Sequence, residues 1–190
     1  MGLDIVLASA SPRRQELLRQ VGLTFRVVPS QVDEQVSEPM QPGDLVKYLA
    51  LAKAHDVAQR EPGALVIGSD TIVVVDDRVL GKPQNRADAI DMLRSLSGRS
   101  HQVMTGIALV QGNRQLVDYE VTTVQFRPLN QGEIERYVDS GEPMDKAGAY
   151  GIQGRAAAMI SAIAGDYFTV VGLPLSRTVQ MLAQFGVHVL

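Results

Sequence analysis

Asp70 lies in Gly68-Ser69-Asp70-Thr71, a polar step inside an otherwise apolar run from Leu65 to Val75. A carboxylate rarely enters such a run without a partner or a task. Asp70 is therefore the leading candidate for a general base or a metal ligand; the alternative is a strand-end aspartate that caps neighbouring backbone. Asp33-Glu34, in a polar stretch that also carries Glu38, could supply a second carboxylate. One or two carboxylates plus substrate phosphates make an ordinary donor set for Mg²⁺, whereas without Asp70 the same pair reads as solvated acidity. Lys53 falls in a helical pattern, and Lys82 in Leu80-Gly81-Lys82-Pro83, where a glycine and a proline fix the loop around one ammonium. Either lysine could take phosphate oxygens or simply be solvated.

Two further stretches could hold a ligand. In Leu7-Ala8-Ser9-Ala10-Ser11-Pro12-Arg13-Arg14, Ser11 suits a helix N-cap and Pro12 the first helical position. Backbone N–H groups and the positive end of the helix dipole then converge where Arg13 and Arg14 add guanidinium forks, which favours phosphate or carboxylate. A capped helix with two solvated arginines fits that motif alone equally well. In Met144 to Gly154, three glycines in seven residues (148, 151, 154) suit a backbone that approaches a ligand closely. Tyr150 there can stack, and Gln153 can present an amide to a base edge. The stretch matches neither the P-loop nor the dinucleotide pattern. His55, His101 and His188 lack metal-ligand spacing and read as surface or core histidines. No G-x-S-x-G turn supports a serine nucleophile.

The elements that must position these residues alternate along the chain. Ile5-Val6-Leu7 reads as a strand, and the helix after it places Leu17, Leu18 and Val21 on one face and ends at Gly22. Phe25 to Val28 is a short strand, residues 30–43 a loop, and Asp44 a cap for a helix to about Arg60 with Val46, Leu49, Ala50 and Val57 inside. Leu65 to Gly68 and Ile72 to Val75 are strand pieces on either side of the polar step, and Asp76-Asp77 is a turn. Asn85 caps a helix closed by Gly98. His101–Val110 and Gln115–Phe126 form a hairpin around Gly112-Asn113. Asn130 and Glu133 form a capping box. Met159–Ile163 and Tyr167–Val171 read as a strand pair across Gly165-Asp166, and Pro174 opens a last helix. Strand–helix alternation followed by hairpins predicts an α/β fold with a mixed sheet flanked by helices.

Composition bounds the partners. In 190 residues, 18 basic against 21 acidic side chains give a formal charge of −3. That balance disfavours wrapping a nucleic-acid polymer but leaves small phosphorylated ligands open, since those need only a local cluster. With 45% hydrophobic and 21% charged residues the chain has ordinary globular composition. One domain over 1–190 is expected. The absence of cysteine excludes disulfides and thiolate metal sites. No apolar run approaches the roughly 20 residues of a membrane span. The arginine pair follows the first apolar run instead of preceding it, against the order of a signal peptide. Met1-Gly2 lacks the hydroxyl residue at the sixth position that myristoylation wants, where Val6 stands. A cytoplasmic protein is the expectation.

Six motifs in one order carry a resemblance. Ser9-Ala10-Ser11-Pro12-Arg13-Arg14, Val32-Asp33-Glu34, Gly68-Ser69-Asp70-Thr71, Leu80-Gly81-Lys82-Pro83, Leu96-Ser97-Gly98 and Asp145 to Gly154 closely resemble the Maf family of nucleoside triphosphate pyrophosphatases. The resemblance spans Leu7 to Leu175. It implies a mixed α/β fold with an elongated central sheet and two lobes around a cleft, similar to the inosine triphosphate pyrophosphatases.

Carried across residue by residue, the resemblance implies that Ser9, Arg13, Arg14 and the helix start hold phosphates, while Lys53 and Lys82 neutralise the triphosphate. Glu34 and Asp70 would hold Mg²⁺ or Mn²⁺, with Asp70 activating water. Asp33 stands where some members carry glutamate, so Glu34 is taken as the functional acid. Thr71, Asp145, Lys146, Tyr150 and Gln153 would contact substrate. One branch of the family favours dTTP and UTP, another 7-methylguanosine triphosphate. Arg13, Thr71 and Gln153 match the pyrimidine branch; the other carries tryptophan, glutamine and glutamate at those places. A homodimer is implied by resemblance alone. The family name derives from septum formation, so the second function class is a nucleotide-sensing binding protein acting in cell division.

Overall fold

Short-range signals set most of the elements, and the burial of apolar faces sets their partners. The computed structural model describes residues 3–34, 36 and 39–189; Met1, Gly2 and Glu38, considered above, lie outside the described residues. In chain order the elements are β1 (Ile5–Leu7), α1 (Pro12–Gln20), β2 (Arg26–Val27), α2 (Pro42–Arg60), β3 (Leu65–Val75), β4 (Arg78–Leu80), α3 (Arg86–Leu96), β5 (Ser100–Gln111), β6 (Arg114–Phe126), α4 (Gln131–Val138), β7 (Ile160–Ala164), α5 (Tyr167–Val171) and α6 (Leu175–Ala183). The strands pair in the order β2-β1-β3-β5-β6-β7, with β4 also on β3. Parallel pairs (β1 with β2 and β3) coexist with antiparallel ones (β3 with β4, β6 with β7), so the sheet is mixed as expected.

The chain divides into two compact units. The first comprises Met1–Asp70, Thr105–Glu120 and Gly172–Leu190. Its core sets Val6, Ala8 and Val66 against Ala50, Ala54 and Val57 of α2, together with Ala108 and Val110. Gly68 explains how closely α2 lies on β3, because a Cβ there would run into the Ala50 carbonyl and the Ala54 side chain. The second unit comprises Thr71–Met104 and Val121–Val171. Its core gathers Val73, Leu80, Ile90, Leu93, Leu96, Phe126, Ile134, Tyr137 and Tyr150. Asp76 and Asp77, at φ 49° and 59°, make the tight turn between β3 and β4. Asn85 accepts from the Asp88 N–H at the start of α3. Asn130 and Glu133 close a full capping box on α4.

Three local expectations are corrected. Helix α2 begins at Pro42, so Asp44 is not the cap but a first-turn acid, paired with Lys47 at 2.8 Å. The polar step at Ser69-Asp70 does not interrupt a strand: β3 runs unbroken through it, with both residues buried. Tyr167–Val171 is a helix instead of a strand. The Asp166 carboxylate accepts from the Phe168 and Thr169 N–H groups and the Thr169 hydroxyl, a helix-starting cap that outweighs the β preference of Val and Thr. Strand β7 pairs instead with β6, through Ala164–Thr123 and Ile163–Val124.

Candidate active site

In the first unit, α2 and β3 bring together three residues singled out by chemistry. Lys53 projects from the buried side of α2, and its Nζ donates to Asp70 Oδ1 and to Glu34 Oε1, each at 2.6 Å. The two carboxylate oxygens therefore lie no farther apart than twice that distance. Lys53 and Asp70 keep only 11% and 10% of their side-chain exposure, while Glu34 keeps 50%. A buried carboxylate is thus matched to a buried ammonium, and an exposed loop acid completes the pair from the solvent side.

Beside them stands the start of α1. Ser11 holds the N-cap position and Pro12 the first helical one, but the Ser11 side chain makes no capping bond. The Ser9 hydroxyl, just ahead of the helix, accepts from the Ser11 N–H and from Arg14 Nη1, each at 3.2 Å. Arg14 Nε donates to the Gly172 carbonyl at 2.8 Å, which the Ser69 hydroxyl also reaches at 3.2 Å. Burial pulls the Arg14 pKa below its ordinary value, with the Arg13 charge acting the same way; the Asp70 and Glu34 carboxylates oppose the shift. A half-buried guanidinium beside a second arginine and a helix N-terminus is stabilised by an arriving anion. Ser11 thus holds the N-cap place that its sequence predicts, without the side-chain bond, and Ser9 is marked by the resemblance.

The remaining candidates lie in the second unit. Thr71 follows Asp70 on β3 and is half-buried. Lys82 is exposed in the loop after β4, which is tied to the 147–149 turn by a Gly148 N–H to Gly81 carbonyl bond of 3.0 Å. Lys146 donates to the Asp145 carboxylate and to the Glu142 carbonyl, each at 2.6 Å. Gln153 is exposed. Tyr150 is packed inside, 5% exposed, edge-on to Phe126 and His101 and bonded through its hydroxyl to His101 Nε2 at 2.7 Å. Its ring anchors the stretch it belongs to. The glycines there make room for the protein's own side chains: an added Cβ would meet Val73 from Gly148, Lys146 from Gly151 and Glu142 from Gly154. Glu142 and Tyr137, which sequence reasoning missed, carry much of this packing. Only a three-dimensional contact, not spacing, marks them.

Among the described residues no group of three or more His, Asp or Glu side chains could hold a metal ion. Glu34 and Asp70 fit a divalent cation as a two-carboxylate set, since both already converge on one positive charge; substrate oxygens would have to fill the other positions.

A mixed sheet flanked by helices, with two carboxylates, a lysine and two arginines gathered at one strand and one helix start, defines an α/β protein whose site chemistry suits a phosphorylated small molecule. The fold is similar to that of a HAM1 protein from Coxiella burnetii, at a TM-score of 0.50 and 21% identity, covering 96% of this chain and all of that one. The chain belongs to the Maf family, whose model, described as Maf-like protein, matches residues 4–185. A relative from Symbiobacterium thermophilum named dTTP/UTP pyrophosphatase is 63% identical over 183 residues, 96% of this chain and 94% of its own. Another of that name, from Desulforamulus reducens, is 52% identical over 187 residues, 97% of this chain and 98% of its own. Among the described residues no helix is long and apolar enough to cross a membrane.

Proposed function

We propose that this chain is a dTTP/UTP pyrophosphatase, taking residues 1–190 as one catalytic domain in the cytoplasm, and that it releases pyrophosphate and the nucleoside monophosphate. The observation that carries the mechanism is Lys53 held between Glu34 and Asp70 at 2.6 Å, next to the half-buried Arg14. The full-length relatives named above support the substrate class.

The Ser9 hydroxyl, whose oxygen already accepts twice, has its proton left to donate to a phosphate oxygen. Arg13, Arg14 and the first-turn amides of α1 add charge and donors for the same group. Lys53 sits where it can leave its carboxylates for a triphosphate oxygen, and Lys82 and Lys146 supply further positive charge. Glu34 and Asp70 would hold Mg²⁺ or Mn²⁺, which supplies Lewis-acid polarisation of the phosphates when bound. Asp70 takes the proton of the attacking water. The water oxygen bonds to phosphorus, the α–β anhydride bond breaks, and the electron pair leaves with pyrophosphate. Positioning and charge stabilisation dominate such chemistry. Thr71, Asp145 and Gln153 belong to the substrate-holding set, and buried Tyr150 supports it by anchoring the stretch that carries Asp145 and Gln153.

The test is incubation with dTTP or UTP and Mg²⁺, followed by separation of products. Monophosphate with pyrophosphate is expected, and chelation of the metal should abolish it. Nucleoside diphosphate with inorganic phosphate would mean cleavage of the other anhydride and overturn the assignment.

A further inference from the structure

We propose that Glu142 is the positioning residue that sets Gln153 for base selection, gripping the backbone on both sides of it. The proposal rests on the pyrophosphatase reading and on Gln153 as the residue that meets the base. Tyr137 Oη donates to Glu142 Oε1 at 2.9 Å and accepts from the Gly151 N–H at 3.2 Å. Glu142 Oε2 accepts from the Arg155 N–H at 3.1 Å. The carboxylate thus holds the chain two residues before Gln153 through a tyrosine, and two residues after it directly.

Between those anchors the backbone has little freedom. The Gly154 N–H bonds to the Gly151 carbonyl at 3.1 Å, closing a four-residue turn with Gln153 in its third place. Ile152, 7% exposed, is buried beside it. A Cβ at Gly154 would collide with the Glu142 carboxylate, and one at Gly151 would come to 2.6 Å from Lys146 Cε. The turn therefore lies directly on these two side chains, and a Cβ at either glycine would displace the Lys146 or Glu142 side chain beneath it. Tyr137 is 4% exposed, and its burial keeps the hydroxyl protonated, so it remains a donor to Glu142. Gln153 is exposed on this clamped turn, and among its four residues it is the one with a polar side chain.

The clamp requires a carboxylate. It must accept from two separately directed donors, and a glutamine would point an NH₂ group at one of them. Glu142→Gln breaks one side of the grip at almost constant volume, and Tyr137→Phe breaks the other. A glutamine on a loosened turn can no longer meet the carbonyl and N3–H edge of uracil in one geometry. Each variant is therefore expected to lower the UTP-over-CTP ratio of kcat/KM roughly tenfold, the worth of one base-directed hydrogen bond. The loss should be carried by KM for UTP, with kcat changed less than about twofold.

The experiment is steady-state kinetics with UTP and CTP for the wild-type protein, Glu142→Gln and Tyr137→Phe, with thermal melts alongside. A reduced ratio carried by KM in either folded variant supports the proposal. A lowered melting temperature with an unchanged ratio would make Glu142 a stabilising residue only and overturn it. Wild-type protein without UTP turnover would overturn the pyrophosphatase reading itself, a different outcome from selective turnover that the variants leave intact.

Discussion

Replacing Lys53 with methionine keeps most of the apolar stem of the side chain and removes its charge. What remains is an Asp70 carboxylate with 10% of its side-chain exposure and no cation at 2.6 Å. Removing one partner of a buried pair costs about 3–5 kcal/mol, because the other charge is left desolvated. Glu34 adds little to that figure: at 50% exposure it returns to water, and its share stays below about 1 kcal/mol. Lys53→Met is therefore expected to cost about 3–5 kcal/mol, nearly all of it through Asp70. Adding Asp70→Asn removes the stranded charge, so the double variant should be more stable than the sum of the single losses by about 1–3 kcal/mol. Urea unfolding followed by far-UV circular dichroism measures all four proteins, and suits a chain without tryptophan. Additive losses, or a Lys53→Met cost below about 1 kcal/mol, would refute the reasoning. The pair would then behave as a solvated one, and Asp70 would not be the desolvated carboxylate that a buried catalytic base requires.

Asp70→Asn alone should lower kcat for UTP by at least ~10² while nucleotide binding, followed by calorimetry, persists; unchanged turnover would remove Asp70 from the mechanism. The same variant separates an enzyme from a nucleotide sensor, because a biological effect that survived the loss of turnover would belong to binding. Gln153→Glu should weaken UTP and dTTP turnover far more than it shifts the melting temperature, since a carboxylate offers only acceptors to the base edge; an unchanged preference among UTP, dTTP, CTP and 7-methyl-GTP would show that Gln153 does not read the base. Burial pulls the His101 pKa down to about 4 from its ordinary 6.5, so the folded protein keeps the ring neutral. Its contribution is complete above about pH 6.5 and is lost as the pH falls toward 4, by roughly 3 kcal/mol in all. Urea midpoints between pH 7 and pH 4 should fall less steeply in His101→Gln, and parallel curves would count against this.

Local chemistry made much of the fold legible. The Asn130–Glu133 box, the Asn85 cap, Pro12 at a helix start and Gly112-Asn113 in a hairpin are interactions between residues a few positions apart, so their geometry is written into spacing. The same holds for the order of the six motifs, which carries the family because each occupies a fixed place along one chain. Where a local signal is ambiguous, neighbours in space decide. Tyr167–Val171 has strand-like residues, but the Asp166 carboxylate satisfies the first N–H groups of a helix, and β7 takes its place beside β6.

The site divides along the same line. Asp70 could be picked out in the sequence because a carboxylate inside an apolar run is costly wherever it ends up. Its pairing with Lys53 could not be read there: Lys53, although itself a candidate, lies 17 residues away, on a helix whose facing toward Asp70 depends on α2 packing against β3 at Gly68. The glycines of residues 148–154 read in sequence as room for a ligand, yet each makes space for a side chain of the protein itself. Tyr150 reads as a stacking ring and is buried against His101 and Phe126. Glu142 gave no signal, because an acid in a polar turn looks solvated until Tyr137, Gly151 and Arg155 are seen around it. The sequence by itself determined which chemical groups were present and which local turns and caps they form. Tertiary structure decided which charges share a desolvated space, because burial and pairing depend on contacts between segments that no spacing encodes.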